Sequence, residues 1–171
     1  MTTQTLPPHH PPAWTQAGVL GLSLSLAYAT AAVGAMASVD AGAFYSSLQR
    51  PSWAPPAWLF GPAWSLLYTL MAIAAWLLWQ RLGWRALRGP LLLYLIHLPV
   101  NGAWSWVFFV GQHGAWATVN VLLLLVMIIA LVLWCWQQHR LAALLLLPYV
   151  AWVGFASALC IHLWLANPAL L

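Results

Sequence analysis

The chain has 171 residues, of which 64% are hydrophobic and only 4% are charged. Since a soluble domain carries about a quarter charged residues, this composition excludes a water-facing globular protein and favours one embedded in a bilayer. The net charge of +4 comes from five arginines against a single acidic residue, Asp40. No clustered basic face results, so nucleic acid is not an expected partner.

A transmembrane helix needs roughly 20 apolar residues, so the chain has room for about five spans. We therefore predict an all-α membrane protein, a five-transmembrane-helix bundle formed by one domain over residues 14–167. The predicted helices cover about residues 14–38, 57–81, 90–110, 115–137 and 141–166. Residues 1–13 are polar and rich in proline, and we expect a disordered tail there. Metal capture by His9 and His10 is the alternative for that tail.

The first predicted helix carries small residues at Ala27, Ala31 and Ala35, spaced by one helical turn. Such a stripe lets a second helix approach closely within lipid. We expect the neighbouring helix to belong to the same chain. A short interfacial helix is predicted to follow, close to Phe44 and Tyr45.

Residues 48–64 contain four prolines and three tryptophans, and one cation, Arg50, precedes all of them. Each proline fixes its own φ and biases the preceding residue towards extended backbone. We predict a stiff, extended, Pro/Trp-rich lid between the first two spans, leading into a helix at about Pro56 or Pro62, because proline suits a first helical turn.

The remaining arginines suggest an orientation. Arg81, Arg85 and Arg88 are predicted to lie in the loop after the second span, and Arg140 in the turn before the fifth. An odd number of spans puts these four residues on the N-terminal side, opposite the lid, so the positive-inside rule places the N-terminus in the cytoplasm of a plasma-membrane protein. Which membrane holds the chain is not determined. The apolar run at residues 121–133 is predicted to face lipid.

Three predicted helices each present an aromatic stripe with one or two hydrogen-bonding groups. The stripes are Trp64, Tyr68 and Met71 on the second span, His97, Asn101, Trp104 and Phe108 on the third, and Tyr149, Trp152, Ala156 and Cys160 on the fifth. Packing between helices is one interpretation of these stripes. The other is a pocket for a flat, largely apolar, aromatic ligand, whereas an ion is not expected because no carboxylate is buried.

Other classes of site have little support from the residues. His97 and His162 differ in height by roughly 20 Å on parallel helices, so they cannot be the two axial ligands of one haem, although a single-ligand haem at His97 stays open. Cys135 and Cys160 differ in height by a similar amount, too far for a disulfide. No Ser/His/Asp or Cys/His set converges and no phosphate loop is present, so a catalytic residue is not assigned.

Three motifs carry a family resemblance. The first reads Tyr45-x-x-Leu48-x-Arg50-Pro51-x-Trp53-x-Pro55-Pro56-x-Trp58-x-Phe60-Gly61-Pro62-x-Trp64-x-x-x-Tyr68-x-x-Met71-Ala72. The second is Asn101-x-x-Trp104-Ser105-x-x-Phe108-Phe109, and the third is Pro148-Tyr149-x-x-Trp152-x-x-Phe155-Ala156-x-x-Leu159. In this order and spacing the chain resembles the tryptophan-rich sensory protein and translocator protein family, also called the peripheral-type benzodiazepine receptor family, from about residue 15 to 167.

The resemblance implies a five-helix bundle, often a homodimer, that binds porphyrins such as protoporphyrin IX or haem, with no obligatory cofactor. By motif position, it implies a ligand pocket formed by Tyr45, Pro55, Trp64, Asn101, Trp152 and Ala156. To these we add Arg50, Tyr68, His97, Trp104 and Phe108 as candidate ligand-binding residues, with Arg50 as a partner for a propionate. Trp64 stands where the family has a tryptophan implicated in light-dependent porphyrin breakdown.

Three positions depart from the family pattern. His97 stands where a glutamine is common, and Cys160 where an asparagine is usual. The C-terminal residues 158–165 lack the tyrosine and the basic residue of the proposed cholesterol motif, so a sterol ligand is not expected. We predict an integral, multi-pass membrane sensor or carrier of tetrapyrroles, with the pocket between the lid and the second, third and fifth spans. The alternatives are a light-dependent porphyrin-degrading enzyme that uses Trp64, and a regulatory membrane interaction protein.

Overall fold

The computed structural model describes residues 11–171, and for residues 85 and 86 only the backbone. The predicted tail therefore lies outside the described residues, apart from its last three. The described part of the chain folds into six helices. They are α1 (Ala13–Met36), α2 (Ala41–Ser47), α3 (Phe60–Ala86), α4 (Arg88–Ser105), α5 (Gly114–Gln138) and α6 (Arg140–Ala166).

Five of these helices are long and apolar enough to cross a membrane, so the predicted all-α five-span bundle is confirmed for the described residues. The short helix α2 is the predicted interfacial helix. A 3-10 turn at Ala57–Leu59 leads into α3, and a π-helical turn at Trp106–Val110 extends α4. Pro99 and Pro148 lie within α4 and α6 without ending them.

The spans pack as a closed ring. α1 contacts α3, α3 contacts α6, α6 contacts α5, α5 contacts α4, and α4 returns to α1. The centre of the ring is filled by buried side chains, among them Met71, Phe108, Ile128, Tyr149 and Val153. This arrangement puts α3, α4 and α6 around one interior, as the three aromatic stripes require.

The predicted end of the second span near Arg81 agrees with a break at Gly83, which has φ 64° and ψ 175°. That conformation strains any residue with a Cβ, so a glycine at this position permits the chain to change direction. The predicted arginine loop is shorter than expected, because helical residues resume after Gly83 and only Leu87 separates them from α4, which begins at Arg88.

The prediction that residues 121–133 face lipid holds for only one side of α5. Val121, Leu124 and Ile128 are buried in the bundle, whereas Leu123 and Val126 are exposed. A buried face and a lipid face are equally apolar in a membrane helix, so hydropathy alone could not separate them.

Candidate ligand cavity and lid

A cavity of about 550 Å³ lies at the end of the bundle that carries the α1–α3 connection. Its aromatic wall comes mainly from the start of α3, which contributes Phe60, Trp64 and Tyr68. Trp104 from α4 and Phe109 from the π-helical turn form the opposite side. Such a volume is typical of a small-molecule site, and these rings make it largely apolar.

The wall on the side of α1 is made of small residues. Ala31, Gly34 and Ala35 line the cavity there, whereas Ala27, one turn deeper, is fully buried in the core. The predicted small-residue stripe thus does two things. At Ala27 it permits close packing within the chain, and at Ala31 and Ala35 it leaves room for the cavity.

A hydrogen-bonded network leads inward from the cavity. The Tyr68 hydroxyl donates to Asn101 Oδ1 over 2.6 Å, and Asn101 Nδ2 donates to the Tyr149 hydroxyl. The Tyr149 hydroxyl lies 3.3 Å from His97 Nε2, and His97 Nδ1 lies 2.8 Å from the carbonyl oxygen of Tyr94. All four side chains in this chain of bonds are at least 95% buried, so each relies on the others at membrane depth.

The donor and acceptor in each of these hydrogen bonds can be assigned by starting from the Tyr94 carbonyl oxygen, at which the chain of bonds ends. A carbonyl oxygen only accepts, so His97 Nδ1 carries the proton facing Tyr94 and Nε2 is left as an acceptor. We therefore assign the Tyr149 hydroxyl as donor to Nε2 and as acceptor from Asn101. In this assignment both ring nitrogens of His97 are engaged, and neither faces the large cavity. His97 and Tyr149 instead line a second cavity of about 40 Å³ on the other side of the network.

The lid comprises residues 48–56, which connect α2 to the 3-10 turn. Tyr45 braces it from α2, because its hydroxyl donates to the Pro55 carbonyl oxygen over 3.0 Å. The Arg50 guanidinium lies 4.9 Å from the centroid of the Tyr45 ring, a cation–π arrangement. Burial raises the pKa of Tyr45 above its usual value, against the opposing effect of Arg50, so its phenol keeps the proton it donates to the lid.

Asn167, just after α6, fastens the lid to the bundle. Its Oδ1 accepts from the Gln49 backbone N–H over 2.8 Å, and its Nδ2 donates to the carbonyl oxygens of Gln49 and Leu163. The side chain is 95% buried. One amide thus pairs with both backbone groups of a residue 118 positions earlier in the chain.

Aromatic contacts form a second link between the lid and α6. Trp53 meets the rings of Phe155 at 5.7 Å and His162 at 6.0 Å. Phe60 meets Trp152 at 5.9 Å, and Trp152 meets Phe155 at 5.8 Å. These edge-on and tilted contacts fill the space between the lid end of α3 and α6, so that α6 is separated from the cavity.

The structure divides the candidate residues into groups. Tyr45, Trp64, Tyr68, Asn101 and Trp104 line the large cavity. Arg50 and Pro55 brace the lid through Tyr45, and Phe108 stacks on the far side of Trp104 with centroids 5.0 Å apart. His97 lies behind Tyr149, whereas Trp152 and Ala156 lie on α6 away from the large cavity.

The large cavity differs from the predicted pocket, which was placed between the lid and the second, third and fifth spans. It is lined by α1 and α2 together with α3 and α4, and neither residues 48–56 of the lid nor α6 lines it. For α6 the reason is steric, since the large rings of Tyr149 and Trp152 pack directly onto Trp64 and Phe60 and leave no space there. The small side chains of α1 leave that space instead.

Sequence reasoning missed several residues of this site. Trp58 and Phe109 line the cavity, and Asn167 holds the lid. Trp58 and Phe109 belong to the motifs but were not among the candidate ligand-binding residues. Asn167 follows the predicted end of the fifth span, and nothing local to it indicates a partner more than a hundred residues away.

In residues 11–171 no group of three or more His, Cys, Asp and Glu side chains comes together in an arrangement that could hold a metal ion. His97 and His162 have different partners, Tyr149 for the first and Trp53 for the second. Both cysteines are free and buried, and Cys160 Sγ lies 3.5 Å from Thr118 Oγ1.

Comparison with known proteins gives a consistent result. The family model described as TspO/MBR matches residues 22–165. The translocator protein of Homo sapiens is 39% identical over 126 residues, which cover 72% of this chain and 75% of the human protein. Protein CrtK of Rhodobacter capsulatus is 37% identical over 158 residues, covering 87% of this chain and 96% of its own.

An archaeal relative is similar at about the same level. The tryptophan-rich protein TspO of Archaeoglobus fulgidus is 36% identical over 124 residues, covering 72% of this chain and 80% of its own. With the five apolar spans of the described residues, these matches establish an integral, multi-pass membrane protein.

Proposed function

Because this chain belongs to the TspO/MBR family, we propose that it binds a tetrapyrrole, either a porphyrin or haem, in the large cavity and acts as a sensor or carrier. The observation that carries the proposal is the cavity itself, about 550 Å³ with walls of Trp64, Tyr68, Trp104 and Phe109. Aromatic side chains attract a flat π-system by stacked and edge-on contacts, and a macrocycle is such a system.

The polar groups of the cavity suit the same ligand. Asn101 uses one acceptor site on Oδ1 and one Nδ2 proton in the network, so one of each is left for a ligand. The lining contains no carboxylate, and the Arg50 guanidinium lies on the ring of Tyr45, a lining residue, at the lid. A propionate approaching the lid would meet this guanidinium, which favours an anionic, aromatic ligand over a neutral sterol.

The test is a comparison of three ligands on the purified protein in lipid nanodiscs. Protoporphyrin IX, haem and cholesterol are titrated separately, and the absorption of the two tetrapyrroles is followed near their strongest band. We expect a saturable spectral shift for both tetrapyrroles, and no displacement of either one by cholesterol. A shift no larger than that with empty nanodiscs would refute the proposal.

A second candidate function, light-dependent degradation of the bound porphyrin, is favoured by the place of Trp64. Its ring lines the cavity and lies 5.6 Å from Tyr68 and 6.0 Å from Tyr149, so Trp64 could give one electron to an excited porphyrin and be reduced again by a neighbouring tyrosine. Dioxygen, as the co-substrate, would then oxidise the reduced macrocycle. The test is the rate at which illuminated protoporphyrin IX disappears with the wild type and with Trp64→Phe. Equal rates at equal occupancy would exclude this function.

The homodimer that the resemblance implies is also part of the proposal. Cross-linking of the protein in its native membrane, before any detergent is added, provides the test. A product of twice the monomer mass is expected, and exclusively monomeric protein at high yield of modification would contradict it.

A further inference from the structure

The seam between α1 and α3 is joined by hydrogen bonds over part of its length only. Gln80 Nε2 donates to Gln16 Oε1 over 2.6 Å, and the Ser23 hydroxyl donates to the Ala72 carbonyl oxygen over 3.0 Å. Nearest the cavity, the Tyr28 hydroxyl lies 2.8 Å from Thr69 Oγ1 and 3.4 Å from the Ser65 carbonyl oxygen. In residues 11–171 these two Tyr28 contacts are the last side-chain hydrogen bonds between the two helices on the way to the lid.

Between Tyr28 and its C-terminal end, α1 contacts α4 and the π-helical turn that extends α4. Trp106 Nε1 donates to the Val33 carbonyl oxygen over 3.0 Å. A Cβ added at Gly102 would lie 3.5 Å from Thr30 Cγ2, and one added at Gly34 would lie 3.4 Å from Ser105 Oγ. The last two turns of α1 are thus in close contact with α4, whereas the cavity separates them from α3.

The cavity reaches the outside of the protein along this opened part of the seam. Ala35 on α1 and Gly61 and Ser65 on α3 line the cavity and are also exposed. Trp58, another lining residue, is 71% exposed. A Cβ placed on Gly61 would meet no atom within 4 Å. We call the gap between Ala35 and these residues the side opening.

Residues 48–56 of the lid do not line the cavity, and they are held in place. The backbone of Gln49 is paired with Asn167, Pro55 accepts from Tyr45, and Trp53 is packed against α6. Moving the lid aside requires all of these contacts to break, whereas the side opening lies beyond the Tyr28 hydrogen bonds and already reaches the protein surface.

We infer that the ligand reaches the cavity laterally, from the bilayer, through the side opening between α1 and α3. This inference rests on the proposed function for its ligand, a flat amphipathic molecule that partitions into lipid. The side opening lies between the last turn of the first membrane span and the first turns of the second, and Gly61 and Ser65 are separated by about 6 Å along the helix axis. A ring could therefore enter from the acyl-chain side while its carboxylates stay near the headgroups and Arg50.

The kinetic test uses one variant that narrows the side opening and a second variant that removes the contact holding the lid. Gly61→Phe fills the side opening, Asn167→Ala releases the lid, and Gly18→Phe is the matched control, since Gly18 also has open space around it but lies at the other end of α1. Tryptophan quenching by protoporphyrin IX in nanodiscs gives kon and koff. An obstructed route slows both steps together, so we expect Gly61→Phe to lower both rate constants by about tenfold or more, and Gly18→Phe to match the wild type.

The opposite results would overturn the inference. If Gly61→Phe keeps wild-type rates while Asn167→Ala raises both, the lid is the route. If Gly61→Phe raises koff alone, it acts on the wall of the cavity, and the side opening is not the route. Tyr28→Phe removes the last hydrogen bonds of the seam and is expected to raise both rates, since the seam can then open further.

A second measurement needs no tetrapyrrole, so it separates this inference from the proposed function. A thiol-reactive fluorescent label is attached to Ala35→Cys or Ser65→Cys. The native Cys135 and Cys160 are buried and therefore react slowly with the label. Nitroxides attached to lipid acyl chains should quench these labels more strongly than aqueous iodide does, and Gly61→Phe should reduce the quenching at Ser65→Cys. Quenching by iodide alone would show that the opening does not face the bilayer, and the inference would fail even if porphyrin binds.

Discussion

Tyr149 is the residue on which the polar interior depends most. Its hydroxyl accepts from Asn101 and donates to His97, and its ring packs edge-on against Trp64 at 6.0 Å. It thereby connects the wall of the large cavity with a histidine that the family pattern does not lead one to expect. Removing this one oxygen leaves two buried polar groups without their partner.

We predict that Tyr149→Phe destabilises the protein by about 1–3 kcal/mol, the usual cost of unsatisfied buried groups. The measurement is the midpoint of thermal unfolding in detergent. Tyr28→Phe is the control, because Tyr28 is partly exposed and Thr69 keeps its own bond to the Ser65 carbonyl oxygen. Equal effects of the two substitutions would mean that the buried network is not stabilising.

His97 illustrates what the sequence can and cannot reveal about one residue. Its spacing from Asn101 correctly indicated a shared helix face, and both are buried in the network. The direction of the imidazole depends on Tyr149 from a helix about fifty residues later. Because this contact is tertiary, the sequence could not distinguish a ligand-facing histidine from one that positions a tyrosine.

At Gly114, α5 lies very close to the C-terminal end of α6 and the residues after it. A Cβ at Gly114, the first residue of α5, would lie 2.6 Å from Trp164 Cδ1 and 2.9 Å from Leu171 Cβ. The absence of a side chain at this position therefore lets α5 begin directly against the end of α6.

We predict that Gly114→Ala lowers the free energy of unfolding by about 1–3 kcal/mol, as overpacking in a filled interior does. Gly18→Ala is the matched control, because its Cβ has open space and alanine favours a helix over glycine by about 1 kcal/mol. Chemical unfolding in mixed micelles measures both. A neutral Gly114→Ala would show that α5 and α6 can separate at this end without cost.

The lid depends on Asn167 in a way that can be measured at one amide. We predict that Asn167→Ala speeds hydrogen exchange of the peptide containing Gln49 by about 10- to 100-fold, since the bonded N–H loses its acceptor. Asn120→Ala on α5 serves as the control, because Asn120 Oδ1 has no hydrogen-bond partner in the described residues. Unchanged exchange at the lid would mean that Tyr45 and Trp53 hold it without Asn167.

At this scale the sequence predicted some elements for sound reasons and missed others. The prolines of residues 48–56 and the start of a helix just after Pro56 follow from local backbone chemistry. The end of the second span near Arg81 was predicted to within two residues of the break at Gly83, whereas the π-helical turn at Trp106–Val110 was not predicted. That turn contains no glycine or proline that would signal a change in the helix.

For the whole molecule, composition and length were enough to predict the architecture. The chain has few charges and five apolar stretches, which favours a bundle of helices in lipid, because a helix pairs its own backbone N–H and C=O groups there. The location of the cavity was harder to predict. Aromatic stripes occur on α3, α4 and α6, but the cavity forms where α1 carries small side chains. The location of the cavity therefore depends on where large side chains are absent, which the aromatic stripes do not indicate.

The central claim is that a tetrapyrrole binds in the cavity between α1, α2, α3 and α4. Titration of protoporphyrin IX into purified wild type, Trp64→Phe and Trp152→Phe, followed by tryptophan fluorescence, tests it most directly. Saturable quenching at micromolar concentration is expected for the wild type. Trp64→Phe should weaken binding by about 3- to 10-fold, the value of an aromatic contact, and Trp152→Phe should retain wild-type affinity because its ring lies on α6. Unchanged wild-type fluorescence across the micromolar range, or a loss of affinity in Trp152→Phe but not in Trp64→Phe, would contradict the account.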